Sequence, residues 1–333
     1  MKKQINMNKS KILITGGAGF IGSHLTEALL KKGHQVTVLD DFSTGRKRNL
    51  EAVESKINLV KGSVLQKKTV KSLIEEADII YHLAAAVGVK YVIENPLKSL
   101  EINIKGSENV LESAYKCGNK TVLMASTSEV YGKNDKVPLK EDDDRLLGST
   151  YISRWGYSDS KAIDELLSLA YFREKGLPVI ITRFFNICGP RQVGNYGMVL
   201  PRFVKQAMSN QDISVFGDGN QTRCFCYVGD LIGTLVKLPF YQEAYGEIFN
   251  IGSNREISIK KLAELVIKVT GSSSRIIFVP YEKAYQKGFE DMHRRVPSIE
   301  KINKLTGFTP RVDLEIIIRK VMQYFQKEAL HAN

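Results

Sequence analysis

The chain has 333 residues, 43% of them hydrophobic and 25% charged, with 48 lysines and arginines against 36 aspartates and glutamates. That length suits two domains at roughly 100–200 residues each, and the apolar share argues against disorder. The net charge of +12 admits anionic partners, yet the basic clusters Arg46-Lys47-Arg48, Lys67-Lys68 and His293-Arg294-Arg295 are short, far apart and free of interleaved aromatics, so no nucleic-acid partner is expected. No apolar run approaches the roughly 18 residues of a membrane helix, so no membrane partner is expected either. The basic start has no long apolar stretch after it, and residues 1–10 read as a loose leader rather than a secretory signal. Cysteines at 117, 188, 224 and 226 are too few for a disulfide scaffold, and no histidine pairs with one at zinc spacing. Reduced thiols, a cytoplasmic setting and no metal are the expectation.

In chain order, Lys11–Thr15 (KILIT) reads as a buried strand, residues 20–32 as a helix and residues 35–39 (QVTVL) as a second strand. Residues 57–61, 79–83, 121–125 and 179–184 repeat the strand character, with helix-length sequence between them. Alternation of this kind predicts right-handed crossovers and an α/β, Rossmann-type doubly wound parallel sheet. Gly33 and Gly118 are helix stops. Beyond Gly189 turn signals multiply, at Gly189-Pro190, Gly194-Asn195 and residues 217–220. Residues 247–251 (EIFNI) are a candidate strand returning to the main sheet, and 256–271 and 314–329 read as amphipathic helices. The expected organisation is a sheet domain over 1–188 and a smaller C-terminal α/β lobe over 189–333, with the ligand cleft between them.

The segment Thr15-Gly16-Gly17-Ala18-Gly19-Phe20-Ile21-Gly22 leaves the first strand and opens the first helix. Gly16 allows the tight turn, small residues at 17–19 let backbone N–H groups approach a pyrophosphate, and Gly22 lets helix pack on sheet. Asp40 and Asp41 end the second strand, where a carboxylate accepts from ribose hydroxyls and repels a 2′-phosphate; NAD is therefore favoured over NADP.

A hydroxyl-rich strand end, Ser126-Thr127-Ser128-Glu129, is followed about thirty residues later by Tyr157-Ser158-Asp159-Ser160-Lys161. Tyr157 and Lys161 share a helix face at i, i+4. An ammonium beside a phenol favours the phenolate and a positive nicotinamide adds to this, so the tyrosine is expected to titrate towards neutrality and to take a proton from a sugar hydroxyl as hydride leaves the same carbon. Tyr171 and Lys175 have the same spacing but no such strand end, and read as packing.

TGGAGFIG, residues 40–45 (DDFSTG), residues 82–85 (HLAA), STSEVYG, YSDSK and residues 183–191 (RFFNICGPR) together resemble an extended short-chain dehydrogenase/reductase of the nucleotide-sugar epimerase/dehydratase/decarboxylase group, over about residues 10–325. The resemblance implies tightly held NAD and a lobe that binds a UDP-sugar. It implies transient oxidation at sugar C4, and a homodimer formed through helices near Tyr157. It assigns the cofactor to Gly16, Gly19, Phe20, Ile21, Gly22, Asp40, Asp41, Ser43, Gly45, Leu83, Ala84, Ala85, Ser126, Tyr157 and Lys161. Catalysis falls to Tyr157, Lys161, Thr127, Ser128 and Glu129, and substrate binding to Asn186, Arg191, Phe216, Arg223 and Arg295. One departure is Gly62-Ser63, where relatives often carry Asp after the glycine to contact adenine; here a hydroxyl stands in.

A C4 ketone acidifies H5 and turns a C5 carboxylate into a β-keto acid, so 4-epimerisation, dehydration and decarboxylation compete. Dehydratases resembling this family generally have Asp-Glu after the threonine, where this chain has Ser128-Glu129. The Thr-Ser-Glu combination with Arg295 resembles UDP-glucuronate decarboxylases. The 4-epimerase and dehydratase remain alternatives, and residues 153–156 (SRWG) and 281–291 fit no subtype.

Overall fold

The structure is a computed structural model that describes residues 9–194, 198–284 and 290–330. Residues 1–8 of the expected leader over 1–10, the turn residue Asn195 and residues 285–289 of the stretch 281–291 lie outside the described residues. Seven strands form the central sheet: β1 (Lys11–Thr15), β2 (Gln35–Asp40), β3 (Ile57–Lys61), β4 (Ile79–His82), β5 (Thr121–Thr127), β6 (Val179–Phe184) and β7 (Glu247–Ile251). All are parallel, in the order β7-β6-β5-β4-β1-β2-β3. β1 lies between β2 and β4, so the winding reverses there and a crevice opens at the carboxyl ends of the strands.

Successive residues of each strand face opposite layers, and both layers are apolar, as a doubly covered sheet requires. Ile12 and Ile14 pack with Leu25 and Leu29 of the helix Phe20–Lys31 (α1), while Leu13 packs on the other face with Ile80, Val110, Leu111 and Met124. The lobe has its own core, built from Leu200, Phe203, Ile213, Val215, Leu262, Val266, Ile317 and Ile318. Small two-stranded pairings support it, including Ile213–Phe216 with Ile276–Val279 and Thr222–Cys224 with Glu256–Ser258.

The predicted strands and the return of 247–251 match the observed sheet, with two changes at element ends. β5 continues two residues past the predicted stretch, which carries Ser126 and Thr127 as strand residues up to the crevice. The helix expected over 256–271 begins at Ile259; Ser258 accepts the Lys261 N–H as its cap, and Glu256–Ser258 pair as a strand. The chain also crosses between the two bodies more than once. The helix Val228–Lys237 and β7 belong to the sheet's core, although both follow residue 189.

Candidate active site

A cleft of about 450 Å³ runs along the crevice, lined by the glycine turn, the ends of β2, β4 and β5, the helix Trp155–Lys175 (α2), and the lobe. Gly16 sits at φ +73°, and a Cβ there would lie 2.8 Å from the Ala84 nitrogen. A Cβ at Gly22 would come within 2.2 Å of the Gly16 carbonyl, so α1 seats on the turn only as glycine. The N-terminus of α1, at Gly19, has no side-chain cap and no acidic residue in its first turn. Its N–H groups are thus open to a pyrophosphate, and these residues fit a bound dinucleotide.

Gly16, Gly19, Phe20, Ile21, Gly22, Asp40, Asp41, Ser43, Leu83, Ala84, Ala85 and Ser126, all expected at the cofactor, line the cleft. Gly45 does not. Its lack of a side chain makes room for Asp40, whose Oδ1 would lie 2.7 Å from a Cβ there. The Asp40 carboxylate is buried and accepts the Ala18 and Phe42 N–H groups, each at 2.8 Å, so it ties the second-strand turn to the glycine turn at the cleft wall. Asp41 accepts the Ser43 N–H at 2.9 Å and is exposed. The Ser126 hydroxyl donates to Glu165, which Arg183 also grips at 2.7 and 2.9 Å, so that hydroxyl braces the strand ends rather than the cofactor. Gly62 and Ser63 line the cleft, with the Ser63 hydroxyl accepting the Leu65 N–H at 3.3 Å.

Thr127 caps the single turn Ser128–Tyr131, its Oγ1 accepting the Glu129 N–H at 3.2 Å. That orients the threonine O–H towards Tyr157, with which it hydrogen-bonds. Ser158 donates to the Glu129 carbonyl at 2.7 Å and pins the start of α2 to the strand end. Within the protein alone the phenol's surroundings favour its protonated form, and the expected lowering rests on the nicotinamide as well as on Lys161. Loss of hydration, and then the Glu129 carboxylate, push the phenol well above its ordinary range, against the Thr127 hydrogen bond and Arg295. The Lys161 ammonium donates to the Asp164 carboxylate at 2.8 Å.

At the sugar end the sequence left residues 153–156 and 281–291 unassigned, and three of them, Arg154, Tyr281 and Asp291, line the cleft. Arg154 and Arg295 reach the Glu129 carboxylate at 3.8 and 3.6 Å. Arg154 and Arg223 reach Asp291 at 3.3 and 3.0 Å, and the Tyr281 hydroxyl donates to Asp291 at 2.9 Å. Arg295 also donates to Ser128 at 3.2 Å and to Asn186 at 3.1 Å, and the Asn186 amide donates in turn to the Cys224 carbonyl. Three buried guanidiniums thus face two carboxylates, an arrangement one positive charge in excess. Burial, then repulsion from Arg223, pulls Arg295 down to about 10, so an anion brought into the cleft relieves it. Arg223 is tied to Asp291 and Asn186 to Arg295, so both predicted substrate contacts are engaged within the protein. Arg191 pairs with Glu27 of α1 at the cleft wall, and Phe216 carries the Arg202 guanidinium 4.2 Å over its ring. The signal for Arg154 was its place just ahead of α2. Asp291 lies far from the motifs in sequence and gave none.

A profile of the NAD dependent epimerase/dehydratase family matches residues 12–252. The chain belongs to that family. It is an enzyme, and NAD is the family's cofactor. The UDP-N-acetyl-alpha-D-glucosaminuronate decarboxylase of Bacillus cytotoxicus is 44% identical over 320 residues, covering 96% of this chain and 98% of that one. The UDP-glucuronic acid decarboxylase 1 of Xenopus tropicalis is 37% identical, covering 97% of this enzyme and 74% of that protein. A crystal structure of the UDP-glucuronic acid 4-epimerase of Bacillus cereus, in complex with UDP-glucuronic acid and NAD, superposes with a TM-score of 0.86 at 29% identity, covering 96% of this chain and 99% of that one. Among the described residues no helix is long and apolar enough to cross a membrane, and no cluster of metal-ligating side chains is found.

Proposed function

We propose that the enzyme decarboxylates a UDP-hexuronic acid through transient oxidation at C4. The observation that carries this reading is the position of Arg295, on Ser128 and against Glu129, in the same cleft as Tyr157 and Thr127. A 4-epimerase needs a base at O4 but no carboxylate and guanidinium beside it. A UDP-hexuronate carries two phosphates and a carboxylate, and the surplus positive charge of the Arg154–Arg223–Arg295 group suits such a ligand.

Gly16–Gly22, Asp40 and Asp41 would hold the dinucleotide; NAD⁺ would accept the C4 hydride in the oxidation, and the NADH so formed would return it in the final reduction. Tyr157 takes the O4 proton, assisted by Thr127. The C5–carboxylate bond of the resulting β-keto acid then breaks. Its electron pair passes into the C4 carbonyl, and CO₂ leaves. The Tyr157 and Thr127 hydroxyls stabilise the enolate oxygen. Glu129, aligned by Arg154 and Arg295, takes up a proton from solvent and delivers it to C5, and Tyr157 returns its proton to O4 as C4 is reduced.

The 2-acetamido substrate is favoured over UDP-glucuronate by the 44% identity to the Bacillus cytotoxicus protein. Incubation with UDP-glucuronate, UDP-N-acetylglucosaminuronate, UDP-glucose and UDP-GlcNAc, followed by mass spectrometry, tests the proposal. Loss of the carboxyl carbon from a uronate is expected. Products of unchanged mass would replace it with the 4-epimerase reading. We further propose a homodimer through α2, on which Leu166 is 64% exposed beside the half-exposed Ile163. Light scattering is expected to give twice the chain's mass, and a monomer would contradict this.

A further inference from the structure

Lys161 is 2% exposed and Asp164 is fully buried, and their charged atoms lie 2.8 Å apart. On α2 the residues 157, 161 and 164 are spaced i, i+4 and i+3, so Lys161 stands between the phenol and the carboxylate on one helix face. A lysine whose task is to favour a phenolate works best with its charge uncompensated. Here a carboxylate has been buried to pair with it, at the desolvation cost that burial of an ion carries.

We propose that Asp164 is a positioning residue of the reaction. It opposes the charge of Lys161 at Tyr157, so that the phenol would give up its proton readily only with the cationic ring of NAD⁺ beside it. The inference rests on the reading of Tyr157 as the base. It means that the enzyme loaded with reduced cofactor keeps Tyr157 protonated, as the closing reduction at C4 requires. The other groups facing this line do not take over the role. His82 of β4 is buried and neutral, held down to about 3 by burial and by Lys161, and bonds to Thr15 and Ser107 at 2.8 and 3.1 Å. Glu165, next to Asp164, is committed to Arg183 and Ser126. Glu129 and Arg295 act on Tyr157 in opposite senses from the end of β5 and from the lobe. Among the described residues Asp164 is the one carboxylate within ion-pair distance of Lys161. Burial raises its own pKa and the lysine lowers it, as expected for a pair made in a dry site.

The test is Asp164→Asn, with Asp164→Ser as a second variant should Asn give too little folded protein. Both are read by NMR titration of ¹³C-tyrosine-labelled, cofactor-free enzyme, with Tyr157→Phe to assign the signal. Wild type is expected to show no Tyr157 ionisation up to about pH 10.5. The variants free the ammonium and are expected to bring the ionisation down by about one to three pH units, as an opposite charge at this range does. The acid limb of the pH–rate profile should move the same way, and Asp164→Glu should restore it. An unmoved Tyr157 signal and an unmoved acid limb would overturn the proposal, even if turnover fell at every pH. Full activity in Tyr157→Phe would instead overturn the reading beneath it.

Discussion

Replacement of Tyr157 by Phe is expected to lower turnover by about two to four orders of magnitude, the range that a positioned proton acceptor supplies. The ring stays, so packing is kept, and one hydroxyl is lost. Its partner Thr127 remains anchored through the Glu129 N–H, and the start of α2 remains pinned by Ser158. Melting temperature should therefore move by only a few degrees, roughly what one lost hydrogen bond near 1 kcal/mol produces. Substrate binding, which falls to the arginines, should change little. Turnover within a few-fold of wild type would remove Tyr157 from the reaction.

Glu129→Gln is expected to separate the two halves of the chemistry. The O4 proton still has Tyr157 to go to, so oxidation at C4 proceeds and NADH absorbance grows. The C5 proton then has no donor, and the reduction that closes the cycle waits. Product formation is expected to fall by about 10²–10⁴, the worth of one general acid. Electrostatics give a second signature. Removing one of two carboxylates that face Arg154, Arg223 and Arg295 raises the local positive charge. A uronate should therefore bind more tightly to the variant while turning over more slowly. Normal product yield without NADH accumulation would make Glu129 a brace for the two arginines and nothing more.

The parts of this site that follow from local sequence were legible before any coordinates. The glycine turn, the acid at the end of β2 and the Tyr157–Lys161 spacing each lie within one strand, one turn or one helix, where periodicity and steric demand speak directly. The sheet followed from the same short-range logic, and even the returning strand at 247–251 was readable from its apolar run. What the sequence hid is pairing across distance. Asp291 meets Arg154 and Arg223 from 137 and 68 residues away, and nothing in its neighbourhood marks it as buried. Arg154 could be noticed beside Trp155, but its carboxylate partners could not be guessed. Asp164 was hidden for another reason: an acid three residues after a lysine on a helix is an ordinary solvated pair, and only burial turns it into a control on the catalytic charge. Asp40 and Gly45 are linked in the same way, the glycine serving the aspartate rather than the ligand.

The most direct test of the account uses a UDP-hexuronate, with or without the 2-acetamido group, carrying deuterium at C4 and ¹³C in the carboxylate. If C4 is oxidised and then reduced within one active site, the UDP-pentose product keeps its deuterium and all the ¹³C appears as CO₂. Deuterium lost to solvent, or ¹³C retained in a product of unchanged mass, would contradict it.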